Sequence, residues 1–517
     1  MRHLTYSGND LVAAELPDGA TVFYAPPPIP GIPIGDVPDA LERAVEEPLG
    51  MEPLSELVGP GSKVLIAFDD NCQPFPKMAK PDIRQGMIER LVELLERYGV
   101  DREDVELRCA VALHRKMEPR ELEYMLGKRI MDEFWPERLA NFDAEDPGDV
   151  VRLGETDRGE AVETSRAVVE SDLVIYVDTI QIPLNGGHKS VAVGFGTYDS
   201  IAPHHNPEMT EHVPHVMQPE GSRMHGSIER ISRELMKHCR IMVIEAAMNG
   251  AIYPPHLAWL GKPPHALNPA ERAIRRTAPA ALKALPEPAR AKIFHSIRSP
   301  YEPLAIHAGA IDDVHPRTIE AIRPQLEVAA PRKYDTLVFG LPDLSPYAIG
   351  CRINPVLVVS DVLGYVFNWF WNEPFLKEGG VVIILNPAYE IFHDRYHAAY
   401  ERFWDEVLPA TTDPFEMKEE FQEDFARDPG LIDAYRFRHA HHGFHPFTVW
   451  YWATYPLRYL SDTILVGPED DRVAKRLGVS WAPSLDHALG MAREKSGGDD
   501  VVALTIPPFM YLSVDGV

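Results

Sequence analysis

The chain has 517 residues, 45% hydrophobic and 25% charged, a globular composition too long for one compact core, so two or three domains are expected. Its formal net charge of −27 repels nucleic acid and anionic membranes, which excludes a polynucleotide partner but not a small anion held in a local basic pocket. The four scattered cysteines, Cys72, Cys109, Cys239 and Cys351, form neither a CxxC metal motif nor a disulfide framework and indicate a reducing, cytoplasmic setting.

The N-terminus, MRHLTYSGND, has no apolar run behind its basic residues, so no signal peptide is expected. KVLIAF (63–68) is a β-rich run ending at DDNCQPFP, and Ile83, Met87, Leu91 and Leu94 then repeat at helical spacing, with Asp82 placed to cap that helix and Gly99 to end it. A second strand, VELRCAVAL (105–113), leads to His114 and a helix around PRELEYMLG, where Gly127 is expected to act as a stop. A third strand, DLVIYVDT (172–179), enters the loop LNGGHKS, and a fourth, RIMVIEAAMN (240–249), follows a helix around SIERISRELMKHC. This alternation predicts a parallel α/β sheet.

From 254 to 332 the chain is proline-rich and locally basic, suited to short helices between loops, after which DTLVFGLP, GGVVIILNP, TILVGP and VVALTIPP resume the strand rhythm. The expected fold class is α/β, with two α/β domains (1–265 and 333–517) whose mostly parallel sheets face a shared cleft, joined by a Pro-rich helical connection over 266–332. The most apolar stretch, Asn354 to Trp371, contains Asp361 and Asn368 and lacks basic anchors, so it predicts a buried helix and no membrane span.

Ligands of α/β sheets collect at the carboxyl ends of strands, where DDNCQPFP, LHRKMEP and NGGHKS lie. Each alone reads equally well as a satisfied turn. Their order and separations together resemble the nickel-dependent lactate racemase family across about residues 60–250. Asp70, Asn71, Cys72, Gln73 and Pro74 stand where that family has D-x-T-R-P, and His114-Arg115 stand where it has a catalytic histidine and its neighbour. Gly186, Gly187, His188 and Lys189 match a Gly-Gly-x-Lys motif, and His205, sixteen positions on, matches a nickel-ligating histidine.

The resemblance implies a nickel-pincer nucleotide covalently attached at Lys189, with Asp70, Asn71, Cys72, Gly186, Gly187 and Trp450 around it, His205 on the metal and His114 as an acid/base. A lysine amine can join an activated carbonyl, and an imidazole can complete a square-planar nickel site. Histidine also titrates near neutral pH, as proton transfer to and from a hydroxyl requires.

The chain departs from the family at several positions. Thr179, ten positions before Lys189, replaces a second catalytic histidine; His188 and His204 are the neighbours offered as substitutes, and His188 is placed with the catalytic residues. Gln73 replaces a carboxylate-binding arginine and Ser360 a lysine, which leaves Gln73, Thr179 and Arg115 on the substrate side and Arg115 or Arg352 as substitute cations. Trp450 reads as well as core packing beside Trp452, and HAHHGFH (439–445) reads as a solvated loop.

The expected function is racemisation or epimerisation of a 2-hydroxy acid other than lactate, dependent on cofactor-maturation proteins. A non-catalytic cofactor-binding homologue and a one-face oxidoreductase are the alternatives. A homo-oligomer is left open.

Overall fold

The computed structural model describes all residues except positions 73, 74, 214, 215, 349 and 515–517. Six strands form the first sheet, in the order Pro303–Gly309, Ile241–Met248, Leu173–Ile180, Val64–Asp69, Val105–Ala110 and Leu139–Asn141. All neighbours are parallel except the antiparallel pair formed by Pro303–Gly309 with Ile241–Met248. The second sheet, Ser480–Ala482, Asp462–Val466, Leu376–Leu385, Tyr334–Gly340, Val501–Thr505 and Thr21–Tyr24, is parallel throughout. The protein is thus mixed α/β with mostly parallel sheets, as its rhythm predicts. Strands such as Leu173–Ile180 and Ile241–Met248 are buried along their whole length, which explains why they read as continuous apolar runs.

Two segments cross the expected divisions at 265 and 332. Thr21–Tyr24 pairs far from its neighbours in sequence and closes the edge of the second sheet, while Pro303–Gly309 and the helix Ile311–Leu326 behind it complete the first. The Pro-rich connection is therefore partly structural core. The helix Pro119–Phe134 continues through Gly127, whose φ of +78° kinks it instead of stopping it. The segment after Asn354 is buried as expected, but only Pro355–Val359 is α-helical; Ser360–Val366 widens into a π-helix. Such π-turns gather at functional sites. No helix among the described residues is long and apolar enough to cross a membrane.

Apart from the edge strand Thr21–Tyr24, in each sheet the chain starts in the middle, adds strands to one side, then returns to the other. The resulting switch points lie between Val64–Asp69 and Leu173–Ile180 in the first sheet and between Tyr334–Gly340 and Val501–Thr505 in the second. Crevices outside the carboxyl ends at switch points are where open α/β sheets bind ligands.

Asp82 ties the first of these strand ends to the core. Its carboxylate caps the helix Ile83–Arg97 through the Arg84 amide at 3.0 Å and pairs with the buried Arg84 guanidinium at 2.9 and 2.8 Å. Arg84 in turn donates to the carbonyls of Asp69 and Asp70. Asp82→Ala leaves that guanidinium buried without its counter-ion, so unfolding in urea is expected to show a loss of about 3–5 kcal/mol; a loss below about 1 kcal/mol would mean the pair carries no net stability.

Candidate active site

Both switch points open on one cavity of about 220 Å³. Asp70, Cys72, His114, Gly186, Lys189 and His205 reach it from the first sheet, and Leu341, Tyr347, Asp361, His445, Ile506 and Pro507 from the other side. Lys189 is the one lysine or arginine on its wall among the described residues.

Lys189 lies in the first turn of the helix Gly187–Gly194, which the glycine pair admits. Gly186 has φ +89° and a side chain there would meet Glu245 and Ile180 at 2.5 Å; at Gly187, φ +57°, it would meet His315 at 2.8 Å. The Gly187 amide donates to Glu245 at 2.7 Å, which fixes the turn. Burial pushes the Lys189 ammonium below its ordinary range, with Asp69, Asp178 and Asp70 only partly opposing it. An amine so placed is more often neutral, and hence nucleophilic, than a surface lysine.

His114 follows a turn whose Ala112 takes φ +49°, held by the Ala112 amide on Gly194 at 2.9 Å and the Tyr435 hydroxyl on the Ala112 carbonyl at 2.9 Å. Its Nδ1 is 2.8 Å from Asp70 Oδ2, while Asp70 Oδ1 accepts the Cys72 amide at 2.8 Å. Burial raises the Asp70 carboxyl, but His114 and the Cys72 amide outweigh it and hold the group below its ordinary range. An ionised Asp70 accepts from Nδ1–H, which leaves Nε2 as the basic nitrogen. Cys72 donates to the Pro346 carbonyl at 3.2 Å, and burial followed by Asp70 pushes its thiol far up, so it is no thiolate at neutral pH. Asp70, Cys72 and His114 could geometrically hold a metal; the Asp70–His114 hydrogen bond already satisfies two of them.

His205 and His204 share a 2.6 Å contact between their Nδ1 atoms. Burial, then His204 and Lys189, keeps His205 neutral, and burial takes His204 down to about 3. If His205 donates from Nδ1 to its neighbour, its Nε2 lone pair is free for a metal, the orientation that a second residue commonly imposes on a metal-bound histidine. The cavity therefore fits a lysine-tethered nickel group in its donor chemistry: an amine without a hydrogen-bond partner among the described residues, and a neutral imidazole on the same wall.

Other sequence-selected residues lie elsewhere. His188 is off the cavity wall, with Nδ1 at 2.9 Å from Ser232 and Nε2 at 3.1 Å from Asp312. Arg115 is buried in a two-pronged pair with Glu121 at 2.7 and 2.8 Å and under Tyr396, and Arg352 pairs with Glu287; neither is a free cation. Thr179 is fully buried and Ser360 likewise, both behind the wall. Asn71 turns to Glu121 at 3.0 Å and lines an adjoining cavity. Trp450 is core, its indole donating to the Thr412 carbonyl, whereas Trp452 reaches the cavity, 5.6 Å from the His205 ring. Gln73 lies outside the described residues.

Three features escaped the sequence. The histidines of HAHHGFH are not solvated: His441, His442 and His445 are at most 2% exposed, and His442 pairs with Glu145 at 3.0 Å. Tyr347 and Tyr365 share a 2.5 Å hydroxyl contact on the cavity wall. Asp361 was visible only as an exception in an apolar run. It lines the cavity from the π-helix, buried without a full hydrogen bond, and burial lifts its carboxyl to about 8 with Ser345 opposing.

A carboxyl raised from an ordinary 3.8 to about 8 binds its proton more tightly in the fold than in the unfolded chain. Its contribution is complete below the lower value and is lost as pH climbs through the upper one. Asp361→Asn is therefore expected to match or trail the parent in stability near pH 4 and to gain on it by a few kcal/mol as pH rises toward 8, read by thermal or urea unfolding across that range. A difference independent of pH would show that Asp361 is solvated.

Residues 8–217 match the lactate racemase N-terminal domain. Over 201 residues the chain is 25% identical to a lactate racemase of Lactiplantibacillus plantarum, a match covering 37% of this chain and 43% of the other, so it spans less than half of that relative's length. In fold, it is similar to the lactate racemase apoprotein of Thermoanaerobacterium thermosaccharolyticum, with a TM-score of 0.63 and 16% identity over 99% of this chain and all of that one. A Thermotoga maritima protein is similar at a TM-score of 0.50 and 13% identity, over 95% of this chain and all of that one.

Proposed function

We propose that this chain, a lactate racemase-like family member through its residues 8–217, is an isomerase that racemises or epimerises a 2-hydroxy acid other than lactate. The observation that carries this reading is the convergence of Lys189, His205 and the Asp70–His114 pair on one cavity at the switch points of both sheets. Lys189 would hold a nickel-pincer nucleotide covalently and His205 its metal. When bound, that group supplies a reversible hydride acceptor for the substrate α-carbon.

The chain's own residues do the rest. His114 Nε2 accepts the hydroxyl proton and returns it, while Asp70 on Nδ1 keeps the ring in the needed tautomer and stabilises its protonated form. The apolar wall of Leu341, Ile506 and Pro507 excludes water that would otherwise compete for that proton. With Lys189 committed to the cofactor and Arg115 and Arg352 paired elsewhere, neutral donors would hold the substrate carboxylate, and the loss of the carboxylate-binding cations together with the chain's extra length favours a larger, hydroxyl-rich acid.

A second reading, a one-face oxidoreductase, is favoured by Thr179, which offers no base. An α-deuterated 2-hydroxy acid decides between them. The isomerase retains deuterium on carbon while configuration scrambles; an oxidoreductase accumulates the 2-oxo acid; a binding homologue does neither.

A further inference from the structure

We infer that His445 is a second acid/base of this cavity, supplying from the C-terminal part of the chain what Thr179 does not; the inference rests on the isomerase reading. His445 lines the cavity beside His114, with ring centres 5.1 Å apart and planes at 79°. Both imidazoles are tethered through Nδ1. His114 Nδ1 is engaged by Asp70 at 2.8 Å and His445 Nδ1 by the buried Tyr400 hydroxyl at 2.7 Å. Neither Nε2 has a hydrogen-bond partner among the described residues, and neither is a sealed polar atom.

The other histidines nearby are spent. His441 and His397 both direct Nε2 to the Tyr347 carbonyl, at 3.1 and 3.2 Å, and His188 is bonded at both nitrogens. His204 keeps its Nε2 buried away from any partner. His445 remains as the imidazole with an open nitrogen next to His114.

Inversion at one carbon explains the need. If the α-hydrogen and carboxylate of both enantiomers occupy the same places, the hydroxyl and the remaining substituent exchange positions, so the hydroxyl proton must be taken at two neighbouring points. From one enantiomer the O–H bond would break with its proton passing to His114 Nε2 as the C=O bond forms, and the group that Lys189 and His205 would hold would supply the acceptor for the hydride that leaves carbon. From the other the same bonds break and form, with the proton passing to His445 Nε2. Return of hydride and proton restores either alcohol with no net oxidation.

Two measurements test this. In single turnovers of the cofactor-loaded chain with D- and L-glycerate, His445→Gln is expected to lower 2-oxo acid formation from one enantiomer by about 100-fold or more and to spare the other; equal effects on both, or none, overturn the assignment. In ¹⁵N-imidazole spectra of the unloaded chain, glycerate is expected to shift His114 and His445 Nε2 and leave His441 and His397 in place, and an unmoved His445 overturns it. A loaded parent chain that converts neither enantiomer counts against the isomerase reading for glycerate alone, and the unloaded spectra still decide whether His445 meets the ligand.

Discussion

Replacing His114 by glutamine is expected to lower turnover by about 10²–10⁴-fold while leaving the Lys189 adduct and the fold intact. Glutamine fills similar space and can hydrogen-bond, but it cannot accept a proton near pH 7. Asp70→Asn should fall in the same range, because an amide facing Nδ1 at 2.8 Å can present a donor where the ring needs an acceptor, which turns the imidazole to the wrong tautomer. The two effects should not add, since both remove one function. Steady-state kinetics of the single and double variants check this. Additive losses would place Asp70 and His114 in separate roles.

Lys189→Ala is expected to abolish both the cofactor adduct and turnover, and Lys189→Arg to do no better. Arginine keeps the positive charge, but its guanidinium stays protonated and is no nucleophile. The parent lysine is suited to attachment because burial lowers its ammonium's hold on the proton, while Asp69, Asp178 and Asp70 keep that effect moderate. Removing it should cost little stability, since its amine makes no ion pair among the described residues. Retention of activity in either variant would end the covalent assignment.

How much of this was legible in the sequence follows from how each feature is encoded. The sheet strands announced themselves because both faces are covered, and Asp82 declared its cap by local spacing. Lys189, His205, His114 and Asp70 were selected by linear register, which survives divergence when strand, turn and helix lengths are fixed by the sheet, and the fold brings all four to one cavity wall. His445 and Asp361 were missed because their meaning is tertiary. Four histidines in seven residues look hydrophilic until Tyr347, Tyr400 and Glu145 close around them. Asp361 sits in an apolar run whose helical period is broken by a π-turn, so no periodic template assigns its direction. Gly127 misled because a glycine with positive φ can kink a helix as readily as end it. The crossing of Thr21–Tyr24 into the second sheet is a long-range pairing that local pattern does not encode.

The central claim is that Lys189 carries the cofactor. Intact mass of the chain produced with the cofactor-synthesis machinery, followed by peptide mapping across Lys189, tests it most directly. The account predicts an adduct of nucleotide size on that lysine, absent from Lys189→Ala. An unmodified lysine, under conditions that load a lactate racemase control, would contradict it and leave only the likeness of fold.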